Sequence, residues 1–304
     1  MFQLLQIFFD NIAPILLVAG VSFLAARYLQ LDGRVIGQLI FYLFSPALAF
    51  DLLYRSEIQA GEVGGLFTGT ITFQLLMFFL SFCVLRLQRA PRTAAAAVMI
   101  STFCLNAGNY GLSVISFAFG EEVLARAAVV FISNLILNYS LGVFIASSGR
   151  NTIRDALVGV LKVPTIYAIP LAFLLRSLSV EPPTVLLRSV NLLSEATIPC
   201  MLVLLGVQLN QVKGITNWRL VSTGVVLKML VAPVIGVVLA LLLGMPPLAR
   251  AAFITQVSMP TAVVTLIFAT EYGLDRDLSL SLILATMLVS PITLSVILWL
   301  VQPM

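Results

Sequence analysis

Asn106-Ala107-Gly108-Asn109-Tyr110-Gly111 interrupts an apolar run that extends from Ala94 to Leu105 upstream and from Leu112 to Phe119 downstream. In hydrocarbon an asparagine amide finds no water to bond, and glycine leaves the helix backbone unrestrained. Two asparagines and two glycines in the middle of an apolar span have two explanations. One is a close helix–helix contact in which the amides bond to a neighbour. The other is an unwound segment that lines a polar cavity at membrane depth. The stretch alone does not choose between them.

The rest of the chain sets the class. Of its 304 residues 60% are hydrophobic and 10% charged, and the mean hydropathy is +1.08. That is the composition of a helical integral membrane protein in contact with a lipid bilayer. Its apolar runs are continuous over about twenty residues, without the period-two alternation of a membrane barrel. There is no histidine, which removes His-based acid–base chemistry, Ser-His and Cys-His nucleophiles and most zinc sites. No span carries two aspartates, so an intramembrane enzyme has no catalytic pair. No catalytic residue, metal ligand or cofactor is therefore assigned. Cys83, Cys104 and Cys200 lie within apolar runs and do not read as a disulfide framework. The net charge of +4 is scattered. It argues against nucleic acid as a partner and is better explained by membrane topology. The first ten residues lack the basic segment and cleavage site of a signal peptide, so the first span is expected to be retained.

Ten membrane spans are expected, at 8–30, 34–54, 63–85, 93–118, 123–147, 157–178, 184–209, 218–243, 248–270 and 277–301. Pro164 and Pro170 interrupt the sixth. With the N-terminus outside, Arg27, Arg34, Arg86, Arg89, Arg92, Arg150, Arg154, Lys162, Lys213, Arg219 and Arg276 fall in cytoplasmic connections. Only Arg55, Arg126, Arg176, Arg188 and Arg250 fall outside, and Lys228 lies within a span. The basic excess thus places both termini outside.

The chain also repeats itself. A spacing of 153 residues separates Pro46 from Pro199 and Gly120 from Gly273, close to half the chain. This predicts a duplicated five-span unit, residues 1–150 and 151–304. Because five is odd, the second copy enters the membrane upside down, as in many secondary transporters. The same spacing carries Ala107 onto Pro260, within Thr255-Gln256-Val257-Ser258-Met259-Pro260-Thr261-Ala262. Proline removes a helical hydrogen bond and clashes with the preceding turn, so the ninth span should break there. Disturbed spans at corresponding positions of two halves point to a transport site.

At these residues the chain resembles the auxin efflux carrier family, in its prokaryotic branch. The matching stretches are Phe41 to Phe50, Asn106 to Leu112, Ile198 to Leu209, and Met259 to Val263 followed by Glu271-Tyr272-Gly273. The resemblance implies an all-α polytopic fold similar to bile acid:sodium symporters. In that fold ten helices form two inverted five-helix repeats, helices 4 and 9 are broken and cross, and scaffold and transport domains each draw on both repeats. It implies a carrier of small organic anions, either auxin-like acids or dicarboxylates, in the inner membrane of a prokaryote, working by elevator-type movement. The family commonly has a proline just after the Asn-Gly stretch, where this chain has Ser113. The break in the fourth span is accordingly expected to centre on Gly108 and Gly111. The family often has an asparagine where this chain has Val264.

The candidate substrate-binding residues are Asn106, Gly108, Asn109, Tyr110, Gly111, Met259, Pro260 and Thr261, with Asn134 and Asn138 on the fifth span. Broken helices would also aim unpaired N–H groups and partial positive charge at the midpoint, which suits an anion. Glu195, Gln256, Ser258 and Lys228 are candidates for ion coupling, to H+ or Na+. Thr261 and Thr265 are further candidates for substrate or ion contacts on the ninth span. Glu195 and Lys228 can instead form a buried pair with each other, and the threonines can bond back to their own helix. Asp10, Asp51 and Arg55 fit interfacial positions near span ends. A ligand-sensing or channel-like protein on the same scaffold remains the competing function, and a homodimer stays open.

Overall fold

The computed structural model describes residues 2–147, 158–210 and 214–301. The expected boundary between halves at 150/151, and the basic residues Arg150, Arg154 and Lys213, lie outside them. The described residues are helical, with no strand among them beyond one isolated bridge between Leu105 and Thr261. In chain order the α segments discussed below are α1 (Gln3–Leu29), α2 (Gly33–Arg55), α3 (Ala60–Leu87), α4 (Arg92–Phe103), α5 (Ser113–Phe119), α6 (Glu121–Ala146), α7 (Ala168–Ser177), α8 (Thr184–Leu209), α9 (Trp218–Leu242), α10 (Pro247–Val257), α11 (Val264–Glu271) and α12 (Arg276–Val301). Seven of these, α1, α2, α3, α6, α8, α9 and α12, are long and apolar enough to cross a bilayer. Leu17, Val21, Leu242, Leu288 and Ile292 stand exposed on them, as expected of side chains that meet lipid rather than water.

Local chemistry explains the ends and the irregularities. Asp32 caps α2 by accepting the Arg34 N–H at 2.8 Å, and Asp275 accepts the Leu278 N–H at 3.0 Å in the first turn of α12. Gly120 and Gly273, one repeat spacing apart, both have positive φ, 76° and 67°. Both follow the short helices α5 and α11, where a side chain would be strained. Wide turns precede three prolines. The N–H groups of Ala13, Ser45 and Ala232 reach back five residues to Phe8, Ile40 and Leu227, just before Pro14, Pro46 and Pro233. A proline ring excludes the carbonyl four residues earlier, and an extra residue in the turn relieves the clash.

Packing divides the helices into neighbourhoods. α8 lies against α1 and α2, and α7 lies against α2. α3, α6 and α10 pack together, and α12 packs with α4 and α9. The α1–α8 approach is so close that a Cβ on Gly206 would collide with the Ala19 carbonyl, the small-residue contact that membrane helices use in place of a hydrophobic driving force. The main apolar core runs through α2, α3, α6 and α10. The two interrupted segments, α4–α5 and α10–α11, meet inside it.

Candidate functional site

Cys104, Leu105 and Asn106 leave helical geometry after α4, and Ser258 to Thr261 do so after α10. The two unwound segments cross antiparallel. The Asn106 N–H donates to the Pro260 carbonyl at 3.0 Å, and the Ala262 N–H donates to the Cys104 carbonyl at 3.3 Å. Backbone groups freed by each break thus satisfy those freed by the other, so irregular backbone is tolerated at membrane depth.

Side chains complete the crossing. Asn134 on α6 accepts the Leu105 N–H at 3.3 Å and donates to the Leu105 carbonyl at 3.2 Å. The Thr261 hydroxyl donates to the Ser101 carbonyl at 3.0 Å, and the Thr261 N–H donates to the Thr286 hydroxyl at 3.2 Å. Gln74 on α3 donates to the Phe103 carbonyl at 3.0 Å and to Asn134 Oδ1 at 3.1 Å. Lys228, wholly buried, donates through Nζ to the carbonyls of Thr102 at 2.9 Å and Cys104 at 3.2 Å. Gln256 Nε2 donates to the Ala127 carbonyl at 3.3 Å, while its Oε1 is buried without a partner, as is Asn138 Oδ1.

The fourth span breaks earlier than Gly108 and Gly111, at Cys104 to Asn106. The glycines belong to the wide turn Ala107–Leu112 that restarts the helix, in which the Gly111 N–H reaches the Asn106 carbonyl at 2.9 Å. They are needed for clearance rather than for backbone freedom. A Cβ at Gly108 would lie 2.7 Å from Phe131 Cε2, and one at Gly111 would collide with Gln256 Oε1. Proline at position 113 is not required, because crossing backbone and side chains already satisfy the freed groups.

The remaining candidates separate. Tyr110 and Met259 are fully buried in one apolar cluster, and the Ser290 hydroxyl lies 3.5 Å from the Tyr110 hydroxyl. Asn109, half-buried, donates to Gln208 on α8 at 3.4 Å and so links the crossing to a helix outside it. Ser258 and Thr265 bond back to the carbonyls of Ile254 and Ala262. Glu195 and Lys228 do not pair, and Glu195 is exposed. It lines a cavity of about 1190 Å³ with Asp51, Arg55, Glu62, Arg126 and Pro199. Asp51, expected at an interface, is buried and held by Arg55 at 2.7 Å and Asn191 at 3.4 Å. Arg126 forks onto Glu62 with contacts of 2.5 and 3.3 Å. Gln74 was not among the sequence candidates, although it is the one amide in its apolar span.

Membrane-length apolar helices around a buried polar crossing define a multi-pass helical membrane protein. A family model described as "Membrane transport protein" matches residues 7–298. The chain belongs to this family, that of the auxin efflux carriers. It is a transport protein and not an enzyme. An "Uncharacterized transporter" of Methanocaldococcus jannaschii is 28% identical over 187 residues, 60% of each chain. A "Putative malonate transporter" of Rhizobium meliloti is 27% identical over 300 residues, 92% of each chain. An "Uncharacterized transporter" of Methanothermobacter thermautotrophicus is 23% identical over 272 residues, 86% of this chain and 87% of its own.

Proposed function

We propose that this protein is a secondary transporter of a small organic anion, a carboxylate of the size of malonate, and that the crossing of the two interrupted segments is its transport site. The observation that carries the proposal is the backbone pairing of Asn106 with Pro260 and of Cys104 with Ala262. It brings two broken helices to one polar point, the arrangement by which carriers bind substrate near the bilayer midplane. Helical geometry resumes beside that point at Ala107, in the wide turn that leads into α5, and at Val264 in α11, and the partially positive N-terminal ends there favour an anion.

In this proposal α4 with α5 and α10 with α11 each count as one broken helix, and residues 158–177 supply a sixth. The protein then has ten helices in two inverted repeats, residues 1–150 and 151–304. The Thr197 hydroxyl donates to the Phe44 carbonyl at 3.1 Å across a separation of 153 residues. Contact between positions one repeat apart is what a two-fold axis through that point requires. Asn106 and Pro260 pair one residue off the same spacing, in keeping with that axis. α1, α2, α7 and α8 act as a scaffold, and the helices around the crossing move against it as an elevator. Both termini lie outside the inner membrane of a prokaryote.

The test is uptake of radiolabelled malonate into proteoliposomes that contain the full chain. Saturable uptake supports a carrier, whereas a rate linear in substrate indicates a channel. Asn106→Ala, which removes a polar amide at the crossing, and Pro260→Ala, which removes the residue that keeps the ninth span interrupted, should each lower uptake about tenfold or more. If both variants transport like wild type, the site is elsewhere.

A further inference from the structure

Lys228 is a fully buried amine whose Nζ has no carboxylate partner among the described residues. Among the described residues the ion pairs are Arg55–Asp51 and Arg126–Glu62, and neither lies at the crossing. The lysine sits in the wide turn Leu227–Val231 of α9, which sets it one residue out of register with an ordinary helix. Its Nζ lies 2.9 Å from the Thr102 carbonyl and 3.2 Å from the Cys104 carbonyl.

The Thr102 carbonyl belongs to the last turn of α4, and the Cys104 carbonyl to the residue just past its end. A helix ends with four carbonyls that have no intrahelical N–H, and the aligned peptide dipoles give that end partial negative charge. Here the Thr261 hydroxyl serves the Ser101 carbonyl, Gln74 serves Phe103 and Asn134 serves Leu105. These donors are neutral. Lys228 is the one donor here able to carry a charge, and it takes two carbonyls at once. Gln74 Oε1 and Ser101 Oγ, on residues of the same cluster, are buried oxygens without partners. Carbonyls at an unwound helix end, with side-chain oxygens beside them, are the ligand set of a monovalent hard cation in carriers that use one. In this chain that position holds a nitrogen on a four-carbon stem.

We propose that the Lys228 ammonium is a tethered cation. It occupies the carbonyl cage at the crossing in place of a free monovalent ion, and the protein therefore moves its anion without sodium. A free ion would enter and leave the cage in each cycle and so couple its gradient to transport. A covalently held charge stays with the crossing, balances the helix end, and carries no gradient. The transport half of this inference rests on the anion-carrier proposal above, whereas the cation half stands without it.

The cation half is read by thermal unfolding of the purified full chain in detergent, in sodium chloride against choline chloride at equal ionic strength. Wild type should unfold at the same temperature in both, within about 1 °C. Lys228→Ala vacates the cage. In choline it should unfold well below wild type, and sodium should raise its Tm by about 3 °C or more, as a ligand bound only by the folded state does. Lys228→Met keeps the stem and removes the charge. It is measured where the alanine variant does not survive purification, and it too should unfold below wild type in choline. The transport half is read by malonate uptake, which should be equal in the two salts for wild type and about tenfold faster in sodium than in choline for Lys228→Ala. Sodium stabilisation of wild type, or a charge-removing variant as stable as wild type in choline, overturns the tethered cation. Absence of malonate uptake by wild type in either salt overturns the substrate proposal and leaves the unfolding result to decide the lysine.

Discussion

Asn134 offers the sharpest test of what holds the crossing together. It is 2% exposed, and its amide is the side chain that satisfies both the N–H and the carbonyl of Leu105, at 3.3 and 3.2 Å. Asn134→Ala leaves two buried backbone groups without partners. Each costs about 1–3 kcal/mol when orphaned. The bonds are at the long end of good geometry, and interhelical bonds in membranes average only about 0.6 kcal/mol because the unfolded chain finds other partners. Together these place the loss near 2–3 kcal/mol. The same helix supplies its own control one turn later. Asn138 is equally buried, but its Oδ1 has no partner, so Asn138→Ala removes an unsatisfied acceptor and should cost less than about 1 kcal/mol. Unfolding in mixed micelles of increasing denaturing detergent measures both variants against wild type. Asn134→Ala within about 0.5 kcal/mol of wild type, or Asn138→Ala as costly as Asn134→Ala, refutes the assignment of Asn134 as the brace of the crossing.

Other positions test the same architecture. Gly111→Ala forces a Cβ into Gln256 Oε1 and should cost about 1–3 kcal/mol together with most of the uptake. Gly64→Ala on α3 meets open space and should be neutral or stabilising by up to about 1 kcal/mol in the same unfolding assay. Glu62→Gln breaks the Arg126 fork, whose side chains are 13% and 12% exposed, and should lower stability by about 1–3 kcal/mol. Adding Arg126→Met should restore much of that loss, because the stranded charge is gone, and a double-mutant cycle checks it.

Much of the architecture was legible because hydrocarbon is an unforgiving solvent. Seven membrane-length apolar helices, the caps at Asp32 and Asp275, and the positive-φ glycines Gly120 and Gly273 follow from local rules. Local composition also marked Asn106 to Gly111 and Pro260 as disturbed. It misplaced the break, since glycines look like the weak point of a helix. They are in fact the clearance that Phe131 and Gln256 require. Composition also left Glu195 and Lys228 as possible partners, because two opposite charges in neighbouring apolar spans invite pairing. The fold sends one to a cavity wall and the other to a helix end. Gln74 escaped notice for the opposite reason: a lone amide in an apolar span has no periodicity to announce it.

By itself the sequence determined that the chain spans a membrane many times, that it holds no histidine for catalysis, and which two spans are interrupted, though not at which residues. Each follows from residue type and order alone, because apolar length, missing side chains and proline act locally. Only the tertiary structure decided what the interruptions do. The carbonyls freed at Ser101 to Leu105 are served by Thr261, Lys228, Gln74 and Asn134, which come from three other helices and the second unwound segment. A broken helix in lipid must borrow its donors from elsewhere, and which donors arrive depends on packing that brings together residues more than a hundred positions apart.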